Sequence, residues 1–151
     1  MKKLIVVLFF SLYSHFCSSQ NATNYFSNYK YLADSLSKAY GIPSCVILGV
    51  AYIESGGGTS VVAKKLNNHF GIVGNCNYAV SHHKSRYRYY PSIKDSYIGF
   101  CNLVASKKMY AQMKGSPDCK LWLKKIAATG YAADATKWTT HVNSVIKKYC
   151  Q

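Results

Sequence analysis

Leu32, Leu36 and Ala39 recur at helical spacing between Tyr29 and Tyr40, and Gly41 stops the run. Pro43 then opens a denser apolar segment, PSCVILGVAYIES, closed by Gly56-Gly57-Gly58. Thr59 or Ser60 can cap a short helix through Leu66. From Phe70 to Tyr90 the helical period disappears. FGIVG and RYRYY are short aromatic or β-branched stretches separated by polar residues, and they predict a β-hairpin or an extended lobe. Ser92 with Asp95 three residues on is a capping box, and it opens a helix whose stripe is Ile93, Tyr97, Phe100 and Val104. Pro117-Asp118 begins a helix carrying Trp122 and Ile126 and ending near Gly130. A last helix reaches about Tyr149 with Trp138, Val142, Val145 and Tyr149 facing inward. The expected fold is mainly α with a small β-hairpin lobe, an α+β arrangement.

The first residues follow a different rule. Lys2 and Lys3 precede an apolar run from Leu4 to Leu12 that is too short to span a bilayer comfortably, and Ser18-Ser19 supply the small residues of a cleavage site. Residues 1–19 therefore read as a signal peptide, residues 20–28 as a loose polar segment, and residues 29–151 as one domain. The implied location is secreted or periplasmic, in the cell envelope, with no stable membrane insertion once the signal is removed.

Composition narrows the chemistry. The 151 residues hold 19 Lys+Arg against 5 Asp+Glu, a formal net charge of +14. Cleavage after Ser19 removes two lysines and no acid, which lowers +14 to +12, so the charge belongs to the domain. Such an excess attracts anionic partners: a nucleic acid, a membrane surface or a polyanionic cell wall. The lysines occur in scattered pairs with no long basic run, which argues against nucleic acid. The acids are Asp34, Glu54, Asp95, Asp118 and Asp134, too few and too scattered for a calcium or magnesium cage. No CxxC pair suggests zinc, and adjacent His82-His83 on a strand would point to opposite faces, so neither metal nor cofactor is expected. Export permits disulfides among Cys45, Cys76, Cys101, Cys119 and Cys150. The odd number leaves one thiol free at least, and Cys101, inside an apolar helix, reads as a buried free thiol.

Glu54 is the only glutamate. It shares a helical stripe with Ile47 and Val50 and lies in the last turn of its helix, before the glycine run. Apolar neighbours desolvate the carboxylate and the negative end of the helix dipole repels it, so both favour the protonated form. A carboxyl protonated near neutral pH is what a general acid needs. The competing reading is a structural glutamate paired with a lysine or with backbone amides.

AYIESGGGTSVVAKKLNNHFGI, residues 51 to 72, resembles the signature of the bacterial glucosaminidases of glycoside hydrolase family 73, the flagellar-type and autolysin N-acetylglucosaminidases. YRYYPSIKDSYIGFCNLV (87 to 104) and GYAADATKW (130 to 138) resemble that family's later motifs in the same order, so the resemblance covers about residues 30 to 149. It implies a lysozyme-like fold with a cleft between an α-lobe and a small β-lobe. The implied substrate is the glycan strand of peptidoglycan, cut at the β-1,4 bond after N-acetylglucosamine by a monomeric enzyme. Carried over by motif, Glu54 is the proton donor, Tyr131 orients substrate or water, and Asn68 and Phe70 line the cleft floor. The bland alternatives are core packing for Tyr131 and a turn-forming role for Asn68.

One feature departs from that pattern. Glycosidases normally use two carboxylates, yet residues 71–91 contain no Asp or Glu. Three explanations are open: assistance by the substrate's acetamido group, water activated by Tyr131 or a histidine, or conversion to a non-catalytic cell-wall glycan-binding module.

Overall fold

A computed structural model describes residues 2–150, with side chains from Asn21 onward. The expected signal segment, 1–19, lies outside the residues whose side chains are described. Eight α-helices and one π-helical turn follow in order: α1 (Lys2–Tyr40), α2 (Ser44–Ser55), α3 (Val61–Leu66), α4 (Tyr78–Ser81), α5 (Ile93–Ala105), α6 (Tyr110–Met113), α7 (Cys119–Ile126), the π turn (Ala127–Tyr131) and α8 (Ala135–Tyr149). Among the described residues no helix is long and apolar enough to cross a membrane.

The architecture is built around α2. Val46 to Ala51 are all buried, as expected for a helix that is apolar on every side and must be covered all round. It packs against α1, α8, α7 and α5. The α8 contact is close: a Cβ on Gly49 would come within 2.6 Å of Ile146 Cγ1, so only glycine lets the two helices approach this far. Beside α2, the rings of Phe70 and Phe100 stack at 4.4 Å and 9°, with Tyr97 edge-on to Phe70.

The caps fall where short polar side chains predict them. Ser60 accepts from Ala63 N, Ser92 from Asp95 N, Asp118 from Leu121 N and Asp134 from Lys137 N. Two of the five acids, Asp118 and Asp134, are thereby explained as caps; Asp95 accepts from the hydroxyl of the Ser92 cap, and Asp34 pairs with Lys30 on α1.

Two expectations are corrected. Residues 20–28, expected to be loose, are helical and belong to α1, with Ala22, Tyr25 and Phe26 buried. Their polarity in sequence conceals a narrow apolar stripe at helical spacing, which continues through Tyr29 and Ala33. The β-hairpin lobe is not formed. Between Ile72 and Tyr90 there is one isolated antiparallel bridge, Val73 with Tyr87, flanked by Gly74 N–H to Arg86 O and Arg88 N–H to Ile72 O. The lobe tip instead folds into α4, with Asn77 and His82 in left-handed conformations at its ends. Asn75 accepts from Asn77 N, and Ser81 donates to the Cys76 carbonyl. These local side-chain bonds take backbone groups that a ladder would have needed. The His82-His83 pair thus lies at a helix end rather than on a strand.

Cys45 and Cys119 form a disulfide between the starts of α2 and α7, closing a sequence separation of 74. Cys101 is a buried free thiol, as its apolar surroundings predicted, and burial pushes it up to about 12. A loop of that length restricts the unfolded chain strongly. Replacing both Cys45 and Cys119 by serine is expected to lower stability by about 2–4 kcal/mol. Urea unfolding of variant and wild type measures the difference.

Candidate active site

Glu54 is the penultimate residue of α2, and the left-handed Gly56 cap (φ 59°) turns the chain directly beyond it. Three other segments converge on its carboxyl. The turn after α3 brings Gly71, whose φ is +62° and where a Cβ would lie 3.4 Å from Glu54 Oε2. A left-handed backbone held this close to the carboxylate suits glycine alone. The first turn of α8 brings Trp138, whose Nε1–H donates to Glu54 Oε1 at 2.6 Å. The π turn ends on Tyr131, whose hydroxyl donates to the Phe70 carbonyl at 2.7 Å and whose ring lies 5.5 Å from that of Trp138.

Glu54, Tyr131 and Trp138 open onto a cleft of about 580 Å³. Its walls also carry Asp134, Arg86, Lys137 and His141, so two cations and a second carboxylate stand around a half-buried acid. Withdrawal from water pushes the Glu54 carboxyl above its ordinary range. The Trp138 hydrogen bond favours the charged form and offsets part of that rise. Burial likewise drives the Tyr131 phenol well above its ordinary value, and the neighbouring Glu54 adds to the effect.

The structure thus brings together the two residues expected to do chemistry, Glu54 and Tyr131, and removes the two expected to bind substrate. Asn68 is 1% exposed and not part of the cleft wall. Its amide donates to the Ile72 and Arg88 carbonyls at 2.8 Å each, and its oxygen accepts from the Phe70 and Ile72 amides. It is a clamp that shapes the 68–72 turn and ties it to the far side of the lobe, which is the turn-forming role its residue type allows. Phe70 is also 1% exposed, stacked in the core; what it offers the site is its carbonyl, which holds Tyr131.

Trp138 has a second role that the periodicity does not show: it packs against the core as its inward position predicts, and it also touches the acid. From the inward stripe its indole N–H reaches Glu54 Oε1. An amphipathic ring with one donor, inside the GYAADATKW segment, was the available signal.

A carboxyl held toward its protonated form in the wall of an open groove is what the general acid of a glycoside hydrolase requires. The family model described as "Mannosyl-glycoprotein endo-beta-N-acetylglucosaminidase" matches residues 30–151, and the chain belongs to this glucosaminidase family. It is a glycoside hydrolase of the endo-β-N-acetylglucosaminidase type. Among solved structures, a C-terminally truncated glycoside hydrolase domain of Salmonella typhimurium FlgJ is similar at a TM-score of 0.66 and 19% identity, over 84% of this chain and 96% of that one. A peptidoglycan hydrolase from Sphingomonas sp. A1 is similar at 0.66 and 22% identity, over 82% and 86% of the two chains. A type VI secretion system effector-immunity complex from Pseudomonas protegens contains a chain similar at 0.62 and 21% identity, over 87% and 95%. No curated protein sequence matches significantly.

Proposed function

We propose that this protein is an exported peptidoglycan hydrolase that cleaves the β-1,4 bond after N-acetylglucosamine, with Glu54 as proton donor to the glycosidic oxygen. The observation that carries the reading is the Glu54 carboxyl itself, withdrawn from water, raised toward its protonated form and hydrogen-bonded by Trp138 in the cleft wall. Two similar structures, a glycoside hydrolase domain and a peptidoglycan hydrolase, support the substrate. The net charge of +14, with Arg86 and Lys137 in the cleft wall, suits a polymer that bears peptide carboxylates, and export through residues 1–19 would deliver the enzyme to it.

The second catalytic group is drawn from the substrate. Asp134, the other carboxylate in the cleft wall, caps α8 by accepting from Lys137 N. The Tyr131 proton is engaged by the Phe70 carbonyl, and its raised pKa makes it a poor source of a phenolate base. In this reading the 2-acetamido oxygen of the N-acetylglucosamine unit attacks its own C1 as Glu54 protonates the departing oxygen. That step forms a cyclic oxazolinium and leaves Glu54 as a carboxylate. Water then attacks C1, gives its proton to Glu54, and opens the ring, so the carboxylic acid is restored and the anomeric configuration retained.

Digestion of purified peptidoglycan, borohydride reduction and mass spectrometry test the bond. The expected new end is reduced N-acetylglucosamine; a reduced N-acetylmuramic acid end would contradict the assignment. Proton NMR of the first product formed tests the chemistry: the β-anomer is expected, and an initial α-anomer rules out acetamido participation.

A further inference from the structure

Behind Glu54, on the side away from the cleft, lies a buried polar cluster that the proposed chemistry does not use. The Tyr25 hydroxyl is 2.7 Å from His69 Nδ1, 3.0 Å from the Tyr97 hydroxyl and 3.4 Å from Ser55 Oγ. All four residues are at most 4% exposed. The Tyr25 ring also packs against Tyr29, Tyr52 and His69. Burial pushes the His69 imidazole down to about 4, so it is neutral near neutral pH and serves the cluster through hydrogen bonding rather than charge.

The cluster's partners are the immediate neighbours of the active-site groups. Ser55 follows Glu54 directly; its hydroxyl donates to the Ala51 carbonyl at 2.6 Å and accepts from Gly58 N at 2.8 Å, fixing the glycine turn that ends α2, and the Tyr25 hydroxyl is its longer, third contact. His69 precedes Phe70, whose carbonyl holds Tyr131, and Gly71, which faces the Glu54 carboxyl. The two backbone segments that frame the acid, 54–58 and 68–71, therefore meet on one hydroxyl. That hydroxyl belongs to α1 at a position upstream of residues 30–151, the stretch the family model matches.

We infer that Tyr25 is a positioning residue of the active site: its hydroxyl joins Ser55 to His69, and this sets where Glu54 stands relative to Gly71 and Trp138. Residues 21–29 are then a working part of the catalytic domain. The inference rests on Glu54 being the acid, so the experiment includes a control for that reading.

The test compares wild type, Glu54→Gln, Tyr25→Phe and Tyr97→Phe on solubilised glycan strands, with kcat and KM separated. The two Tyr→Phe changes each delete one buried hydroxyl and keep the ring, but only Tyr25 links the two framing segments; the Tyr97 hydroxyl reaches them only through Tyr25. Tyr25→Phe is expected to lower kcat about ten-fold with KM within about two-fold, and Tyr97→Phe to change kcat less than three-fold. An activity-independent reading comes from the Trp138 indole N–H resonance. It should move in Tyr25→Phe, while that of Trp122, bonded to the Ser116 carbonyl, stays in place. Equal kcat losses in both tyrosine variants, or an unmoved Trp138 resonance, overturn the inference, because a purely structural hydroxyl lowers the unfolding midpoint without either signature. Should Tyr25→Phe fail to fold, His69→Leu cuts the same link from its other end and carries the same expectation. Full activity in Glu54→Gln would sink the site assignment itself; an inactive Glu54→Gln beside an unimpaired Tyr25→Phe would sink only the role of Tyr25.

Discussion

Trp138→Phe is expected to lower kcat by roughly ten-fold and to move the basic limb of the pH–rate profile to higher pH. The indole N–H bonds Glu54 Oε1 at 2.6 Å and so favours the carboxylate that forms as the proton leaves. A hydrogen bond to a charged group contributes about 1.5–3 kcal/mol, and losing the lower figure from the transition state corresponds to about a ten-fold fall in rate. The same loss removes the influence that lowers the Glu54 pKa and leaves the desolvation that raises it. The acid then keeps its proton to higher pH but gives it up less readily. Phenylalanine retains much of the ring that packs near Tyr131, so the variant separates the donor from the packing. A basic limb that stays put or moves down would show that Trp138 does not act on the acid.

Glu54→Gln is expected to reduce kcat by about 10²–10⁴-fold, the range that a positioned general acid contributes. It should also make the protein more stable at neutral pH. The carboxyl's folded-state pKa lies above its unfolded value, so its contribution to folding is full below the unfolded pKa of about 4.3 and is lost as pH rises through the folded value. Glutamine has no such dependence. The variant's unfolding midpoint should therefore exceed that of wild type at pH 7, with the gap closing below about pH 4. Thermal unfolding followed by circular dichroism at both pH values checks the sign. A glutamate that stabilised the fold by pairing would give the opposite result at pH 7.

Much of this arrangement is legible along the chain because it is local. The helices from Pro43 to Ser55 and from Ser92 to Ala105 follow from apolar period and caps, and Glu54 stands out by its scarcity and its place at a helix end. What escaped depends on contacts between distant segments. Trp138 meets Glu54 across 84 positions, and only the fold shows that its inward stripe ends at the acid. Asn68 looked like a ligand-binding amide, but its four hydrogen bonds go to backbone groups of the same turn and of residue 88. The hairpin expected over 70–90 lost to side-chain bonds at Asn75 and Ser81, which periodicity does not register. The polar stretch before Tyr29 gave no sign of order because its hydrophobic surface is confined to a stripe, and the rest faces solvent.

The scarcity of acids now has a physical account. Asp118 and Asp134 cap helices, Asp95 accepts from the Ser92 hydroxyl that caps α5, Asp34 pairs with Lys30, and Glu54 alone is withdrawn from water in a cleft wall. The measurement that bears most directly on this account is the release of reducing ends from purified peptidoglycan by wild type and Glu54→Gln, at equal concentration and with folding verified. Steady release by the wild type and release slower by about a hundred-fold or more in the variant is the predicted result; equal release by both would contradict it.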